Sequence, residues 1–197
     1  CIRDSAYLDS FTYVGGKLYF RSNYYNGDFT VYRPLYTIDS TTGNPVRVAG
    51  VSSVDGLTNI NGILYFSGSG NNTGQELWKL DPTTGTPTVI DIVSGSGSSS
   101  PTNLTNVNGT LFFTASNSAN GQELWKLDNT GNAVLVKDIR TGTNSSNPSS
   151  LFNVNGTLYF TADNGINGVE LWRSDGSTAG TVQLEIYPGA SSPNITN

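Results

Sequence analysis

An all-β chain of four four-stranded antiparallel units is predicted by three features of the 197-residue sequence: a fixed period, strand-like alternation within it, and a hairpin turn at the same place in each copy. Trp78, Trp125 and Trp172 stand 47 residues apart, as do Leu64-Tyr65-Phe66, Leu111-Phe112-Phe113 and Leu158-Tyr159-Phe160. Leu18-Tyr19-Phe20 lies 46 residues before the first of these triplets. A unit of this size cannot bury its apolar surface alone, so the copies are expected to stack on one another. Four short strands in about 47 residues fit one blade of a β-propeller-like array.

The third copy is the clearest. Residues 103–107 read as a strand, Asn108-Gly109 as a two-residue turn, and residues 110–115 as the returning strand. Asn and Gly both tolerate the positive φ that a type I′ turn demands. Residues 122–128 form a third strand, 129–132 a turn, and 133–139 a fourth strand. Asn61-Gly62 and Asn155-Gly156 repeat the hairpin signal, and Gly15-Gly16 replaces it in the first copy. The repeats are expected over 11–50, 57–93, 102–140 and 149–187, within a single repeat domain spanning 1–197. Residues 1–10 and 191–197 read as partial flanking units or closure strands.

Alternation assigns faces. In Glu123-Leu124-Trp125-Lys126-Leu127, Leu124 and Lys126 point one way and the other three residues the opposite way. Both faces of a stacked sheet meet neighbours, so the tryptophans are expected to pack between sheets rather than to stack on a ligand. The first copy departs from the pattern: Tyr36 replaces tryptophan, and Arg21 to Arg33 is an insertion carrying Tyr24, Tyr25, Phe29 and Tyr32. The insertion reads either as a cap on the array or as an aromatic platform for a sugar or partner, with Tyr24, Tyr25 and Tyr32 as the candidate ligand residues.

Composition narrows function. Charged residues make up 13% of the chain and the net charge is −5, which gives no electrostatic footprint for nucleic acid. Histidine is absent and Cys1 is the one cysteine, which excludes a thiolate zinc cage and the commonest general base. No apolar run reaches the roughly 18 residues that span a bilayer.

The acids recur by position. Glu76, Glu123 and Glu170 precede Leu-Trp, and Asp39, Asp81, Asp128 and Asp175 end the third strand of each copy. Asp91, Asp138 and Glu185 recur in the fourth strand. A residue placed in every repeat does the same job in every repeat, so these acids are expected to be structural: the aspartates closing turns through Asx-type bonds, the glutamates bonding strand-end amides or pairing with Lys79, Lys126 or Arg173. No catalytic residue, cofactor site or metal site is assigned. Calcium is a minor alternative because Asp163-Asn164-Gly165 and Asp175-Gly176-Ser177 are dense in oxygen ligands without matching the known loop spacing. The Gly-, Ser- and Asn-rich segments 68–74, 94–100, 116–121 and 141–149 are expected to share one face, where ligand contacts would lie.

The ends carry two expectations. Cys1-Ile2-Arg3 resembles the close of a repeat at Asp138-Ile139-Arg140, and residues 191–197 resemble the start of one, as in a window cut from a longer array. Alternatively, Cys1 is the lipid attachment site of a bacterial lipoprotein, the one route by which this chain would meet a membrane.

Glu170-Leu171-Trp172-Arg173-Ser174-Asp175-Gly176-Ser177, with Gly180-Thr181 after it and Val154-Asn155-Gly156-Thr157-Leu158-Tyr159-Phe160 before it, resembles the bacterial ELWxxDGT repeat proteins. The resemblance extends well over 57–190 and weakly over 11–50. The second and third copies keep Glu-Leu-Trp and the Asp but not the Asp-Gly-Ser that follows. It implies a secreted or cell-surface protein, with no activity specified. The expected function is non-enzymatic surface work: adhesion, surface or filament assembly, or scaffolding, with a protein partner or neighbouring copies. The alternative is a carbohydrate-binding, lectin-like propeller that takes glycans on the long-loop face.

Overall fold

The computed structural model describes residues 7–25, 31–70 and 72–184. The strands form four antiparallel sheets in chain order. The first holds β1 (Tyr7–Val14), β2 (Lys17–Tyr25), β4 (Leu35–Ile38) and β5 (Pro45–Arg47), with the two-residue β3 (Val31–Tyr32) paired to the end of β2. The second holds β6 (Ser52–Ile60), β7 (Ile63–Gly70), β8 (Thr73–Leu80) and β9 (Pro87–Ile90). The third holds β10 (Thr102–Val107), β11 (Thr110–Asn117), β12 (Gly121–Leu127) and β13 (Ala133–Lys137), and the fourth β14 (Ser149–Val154), β15 (Thr157–Asp163), β16 (Val169–Ser174) and β17 (Val182–Leu184). Apart from β2 and β4, between which β3 intervenes, each neighbour in a sheet is its neighbour in sequence, so short turns suffice and no crossover is needed.

The first-hairpin turns form as expected: Asn108 and Gly109 take φ of 49° and 86°, and Asn61-Gly62, Asn155-Gly156 and Gly15-Gly16 are equally left-handed. In two respects the sheets depart from the expected boundaries. First strands start earlier, β1 at Tyr7 and β6 at Ser52, because each carries a bulge that alternation does not reveal. The bulges recur at Ser10, Gly56, Asn103 and Ser150, all at positive φ and spaced by 46, 47 and 47 residues. Such a bulge strengthens local twist while the strand continues beyond it. Second, the segment expected as a long loop at 68–74 is mostly strand and that at 116–121 is strand at both ends. Gly70 pairs with Thr73 and Asn117 with Gly121, so the ladder runs almost to the tip.

The chain divides into two compact units, Cys1–Ser100 and Pro101–Asn197, each holding two sheets. In the first unit, Val14, Tyr19, Leu35 and Val48 of the first sheet pack on Val51, Val54, Leu64, Phe66, Trp78 and Leu80 of the second. In the second unit, Phe112, Leu124 and Val136 meet Leu158, Phe160, Ala162 and Trp172. Trp78 and Trp172 therefore occupy the position expected of them, between sheets. Their indole N–H groups donate to Gly68 O at 2.9 Å and Ala162 O at 3.1 Å, the small residues opposite the glutamate of the next strand. The Trp125 indole N–H is buried and finds no acceptor among the described residues. Within each unit the first strands are tied by one side chain in register: Asn59 Nδ2 donates to Tyr13 O at 3.0 Å, and Asn153 Nδ2 to Asn106 O at 3.2 Å.

Candidate functional site

The four turn aspartates and two of the three recurring glutamates are engaged by the chain itself. Asp81 Oδ1 accepts the amide and hydroxyl of Thr83 at 2.8 and 2.6 Å, and Asp128 Oδ1 accepts both from Thr130 at 2.9 and 2.7 Å. Asp39 and Asp175 close their turns in the same way. These donors favour the carboxylate and hold all four aspartates below the ordinary range.

The glutamates do something more specific than bonding strand-end amides. Glu76 is fully buried; Oε1 accepts Ser99 N at 2.7 Å, and Oε2 accepts Ser99 Oγ at 2.6 Å and Ile92 N at 3.0 Å. Glu123 repeats this with Ser146 N at 3.0 Å, Ser146 Oγ at 2.5 Å and Ile139 N at 3.1 Å. Each thus fastens the segment leaving its sheet back onto the third strand. Burial outweighs these bonds at Glu123 and pushes its carboxyl upward. Neighbouring contacts fit the same clasp: Gln75 N and Gln122 N donate to Ser98 Oγ and Ser145 Oγ, at 3.0 and 2.9 Å. Glycine is required beneath the crossing, since a Cβ on Gly74 would collide with Gly97 O and one on Gly121 would lie 2.6 Å from Asn144 O. In each of these two sheets the departing segment therefore lies against the second hairpin, as the sequence predicts, although that hairpin is short.

The possible calcium ligands are also engaged. Asp163 pairs with Arg140 at 2.9 Å and accepts Gly165 N at 2.7 Å. Among the described residues no three acidic or cysteine side chains gather where they could hold a metal ion.

Among the described residues, an exposed aromatic patch lies on the first sheet. The ring of Phe20 stacks on Tyr36 at 5.7 Å, the counterpart of the buried Phe160–Trp172 pair, and Phe11 stacks on its other side at 5.7 Å. Tyr13 pairs with Leu18 and so projects from that same face. Phe11 is 58% exposed and Tyr13 68%. The fourth sheet has a comparable outward face, where Phe152, paired with Tyr159, is 67% exposed.

Of the sequence-predicted candidates, Tyr24 and Tyr25 end β2, opposite Tyr32 and Val31, so the insertion extends the hairpin beside the sheet. Tyr32 is exposed; Phe29 and Cys1 lie outside the described residues. Sequence reasoning passed over Phe11, Tyr13 and the ion network beneath them. Arg21 donates to both Asp9 oxygens at 2.7 and 2.8 Å and pairs with Asp55 of the second sheet at 2.7 Å. Extending the 46-residue period upstream would have found it, since Asp9 and Asp55 are equivalent positions. A cavity of about 260 Å³ on the second sheet, lined by Tyr65, Lys79, Asp81, Thr84, Thr86 and Thr88, offers hydroxyls, one ammonium and the Asp81 carboxylate that closes the turn.

No family model matches the chain, and no curated protein does. Among solved structures, the chain is similar to the β-propeller domain of the Trilobed protease from Pyrococcus furiosus, described as having an open velcro topology: TM-score 0.56 at 13% identity, over 91% of this chain and 52% of that one. It also aligns with a Bacteroides ovatus xyloglucan PUL GH43B protein at 14% identity and TM-score 0.42, over 92% of this chain and 41% of that one. The chain thus spans about half the length of the propeller domain it matches. Together with the four four-stranded sheets, that match establishes a β-propeller fold.

Proposed function

We propose that this chain is a non-enzymatic, extracellular or cell-surface repeat module that assembles with neighbouring copies through the outward faces of its terminal sheets. The observation that carries the reading is the aromatic row on the first sheet, Phe11, Tyr13, Phe20 and Tyr36. Within each unit, sheets join by laying a Phe-aromatic face on the apolar face of the preceding sheet. The first sheet offers Phe11 and Tyr13 outward, over the buried Phe20, and the fourth offers an apolar face around Phe152. Joining them head to tail between copies repeats an interface the protein already uses twice, and such a heterologous contact propagates. The engagement of Glu76, Glu123 and the four turn aspartates by backbone and hydroxyl donors supports a role without catalysis, and the reading needs no cofactor.

Light scattering over a concentration series tests this. The expected result is an average mass rising above the 20.9 kDa of one chain, and a return to that mass when Phe11 and Tyr13 are both replaced by Asp. A constant single-chain mass would sink the assembly reading. A glycan-binding reading is favoured by the exposed Tyr13 and Tyr32. It predicts binding by single molecules to a glycan array, lost on Tyr13→Ala or on Tyr24→Ala with Tyr25→Ala.

A further inference from the structure

Within each unit the following sheet reaches back to the preceding one with the turn between its third and fourth strands. In the first unit that turn begins at Asp81-Pro82: Lys17 Nζ donates to Pro82 O at 2.8 Å, and a Cβ on Gly15 would lie 2.9 Å from the proline ring. In the second unit it begins at Asp175-Gly176, where a Cβ on Gly176 would lie 2.9 Å from Phe112 Cζ and 3.3 Å from Lys126 Nζ. Tyr19, raised chiefly by burial, also feels the Asp81 charge; Asp175, lowered chiefly by the Ser177 amide and hydroxyl, also feels Lys126. Tyr19 and Phe112 hold the same place in the repeat. Each joint thus sets an aspartate turn on an aromatic ring of the sheet before it, and the second joint adds a cation, Lys126, paired across the strands with that ring.

Both halves of such a joint recur on the two outward faces. On the fourth sheet the corresponding ring and cation are Tyr159 and Arg173, paired across β15 and β16 on the same face as Phe152. Arg173 is exposed and, among the described residues, forms no ion pair. On the first sheet the corresponding turn begins at Asp39-Ser40, where Asp39 Oδ1 accepts the Thr41 and Thr42 amides at 3.0 and 2.7 Å. Asp39 also pairs with no cation among the described residues. On the premise that copies assemble through these faces, we propose that the contact is keyed by charge: the Asp39-Ser40 turn of one copy seats on Tyr159 and Arg173 of a neighbouring copy, carboxylate against guanidinium. A second copy is the occupant because the turn that fits is one this chain carries, and because Asp175 and Lys126 already bring the same two charges together in the second unit. Arginine in place of that lysine presents a planar fork suited to a carboxylate.

Sedimentation of the full chain over a concentration series tests the key. Arg173→Glu reverses the charge on the fourth sheet. Asp39→Asn combined with Ser40→Lys reverses the turn while keeping the side-chain oxygen that closes it. Each variant alone is expected to associate at least about 10-fold more weakly than wild type, because like charges then meet at the contact. Mixed in equal amounts, the two are expected to recover wild-type association, since each finds its opposite on the other; a contact made within one chain would gain nothing from the mixture. If circular dichroism shows that either reversal does not fold, Arg173→Gln and Asp39→Asn remove the charges alone, and each is expected to weaken association roughly 2- to 5-fold and to flatten its salt dependence. Variants that associate like wild type, or a mixture that does not recover, would overturn the charge key and leave assembly through Phe11 and Tyr13 standing. A wild-type chain that stays single at every concentration would remove both.

Discussion

The same cross-strand position holds an ion pair in the first sheet and two hydroxyls in the third. Asp9 faces Arg21, whereas Thr102 faces Thr114, with their oxygens 2.7 Å apart. Both pairs sit just before the bulge, at equivalent points of the repeat, and the fourth sheet has Ser149 and Thr161 there at 2.8 Å. The backbone fixes the place and leaves the chemistry free. What changes is reach: the hydroxyl pair stays within its sheet, while the Arg21 guanidinium continues to Asp55 and Val54 O of the neighbouring sheet. The first unit is thus joined by apolar contact and by a charged clamp whose arginine side chain is only 12% exposed. The second unit relies on Lys137, which donates to Thr181 O at 2.8 Å and lies 5.8 Å from the Trp172 ring, and on the more open Arg140–Asp163 pair.

The strongest way to break this comparison is to remove the arginine. Arg21→Ala leaves Asp9 and Asp55 without their common partner and is expected to cost roughly 2–4 kcal/mol by urea denaturation, below the full range for a buried pair because both aspartates retain solvent contact. Asp9→Thr combined with Arg21→Thr transplants the third sheet's pair and is expected to recover about half of that loss. A double variant no better than Arg21→Ala would mean that the two chemistries are not exchangeable.

Acid should separate the units more gently. Arg21 holds Asp9 below the ordinary carboxylate range, so the stability this pair contributes is complete above about pH 4 and is lost as pH falls through the lower folded value. Glu123 has the opposite sign. Burial raises its folded value, so its contribution is complete below about pH 4 and fades as pH rises through that raised value. The turn aspartates, two in each unit, respond alike and do not discriminate. Exchange mass spectrometry from pH 3 to 6, corrected for intrinsic rates, is expected to show first-unit protection rising relative to second-unit protection. Parallel curves would remove the distinction. The smallest effect belongs to Thr114→Val, which forfeits one hydroxyl pair and is expected to cost about 1 kcal/mol in the same denaturation assay.

Period and turn chemistry made the sheets legible before any coordinates, because Asn-Gly pairs, Leu-Tyr-Phe triplets and tryptophans all mark fixed places. The bulges were not legible from alternation. Ser10, Gly56, Asn103 and Ser150 share a left-handed backbone rather than a residue type, so only the period connects them. The glutamates were read as structural, but their serine partners lie 23 residues away in a segment that looks like polar filler, and hydrogen-bond partners across a loop leave no local pattern. The aromatic face was missed for another reason: Phe11 and Tyr13 look like ordinary inward strand residues, and the missing neighbour that exposes them is not written in their own stretch of chain.

The hairpin turns also bear on how this protein ages. In an open chain, an asparagine followed by glycine is where the backbone nitrogen most readily attacks the side-chain amide, closing a succinimide ring and releasing ammonia. In the folded turns that nitrogen is engaged: Gly62, Gly109 and Gly156 donate their N–H groups to the side-chain oxygens of Asn59, Asn106 and Asn153, at 3.1, 2.8 and 2.9 Å. A nitrogen that is donating gives up its proton less easily and is a poorer nucleophile. Folding therefore guards Asn61, Asn108 and Asn155 against chemical decay, and the rate at which these three positions decay is set by how seldom their hairpins open.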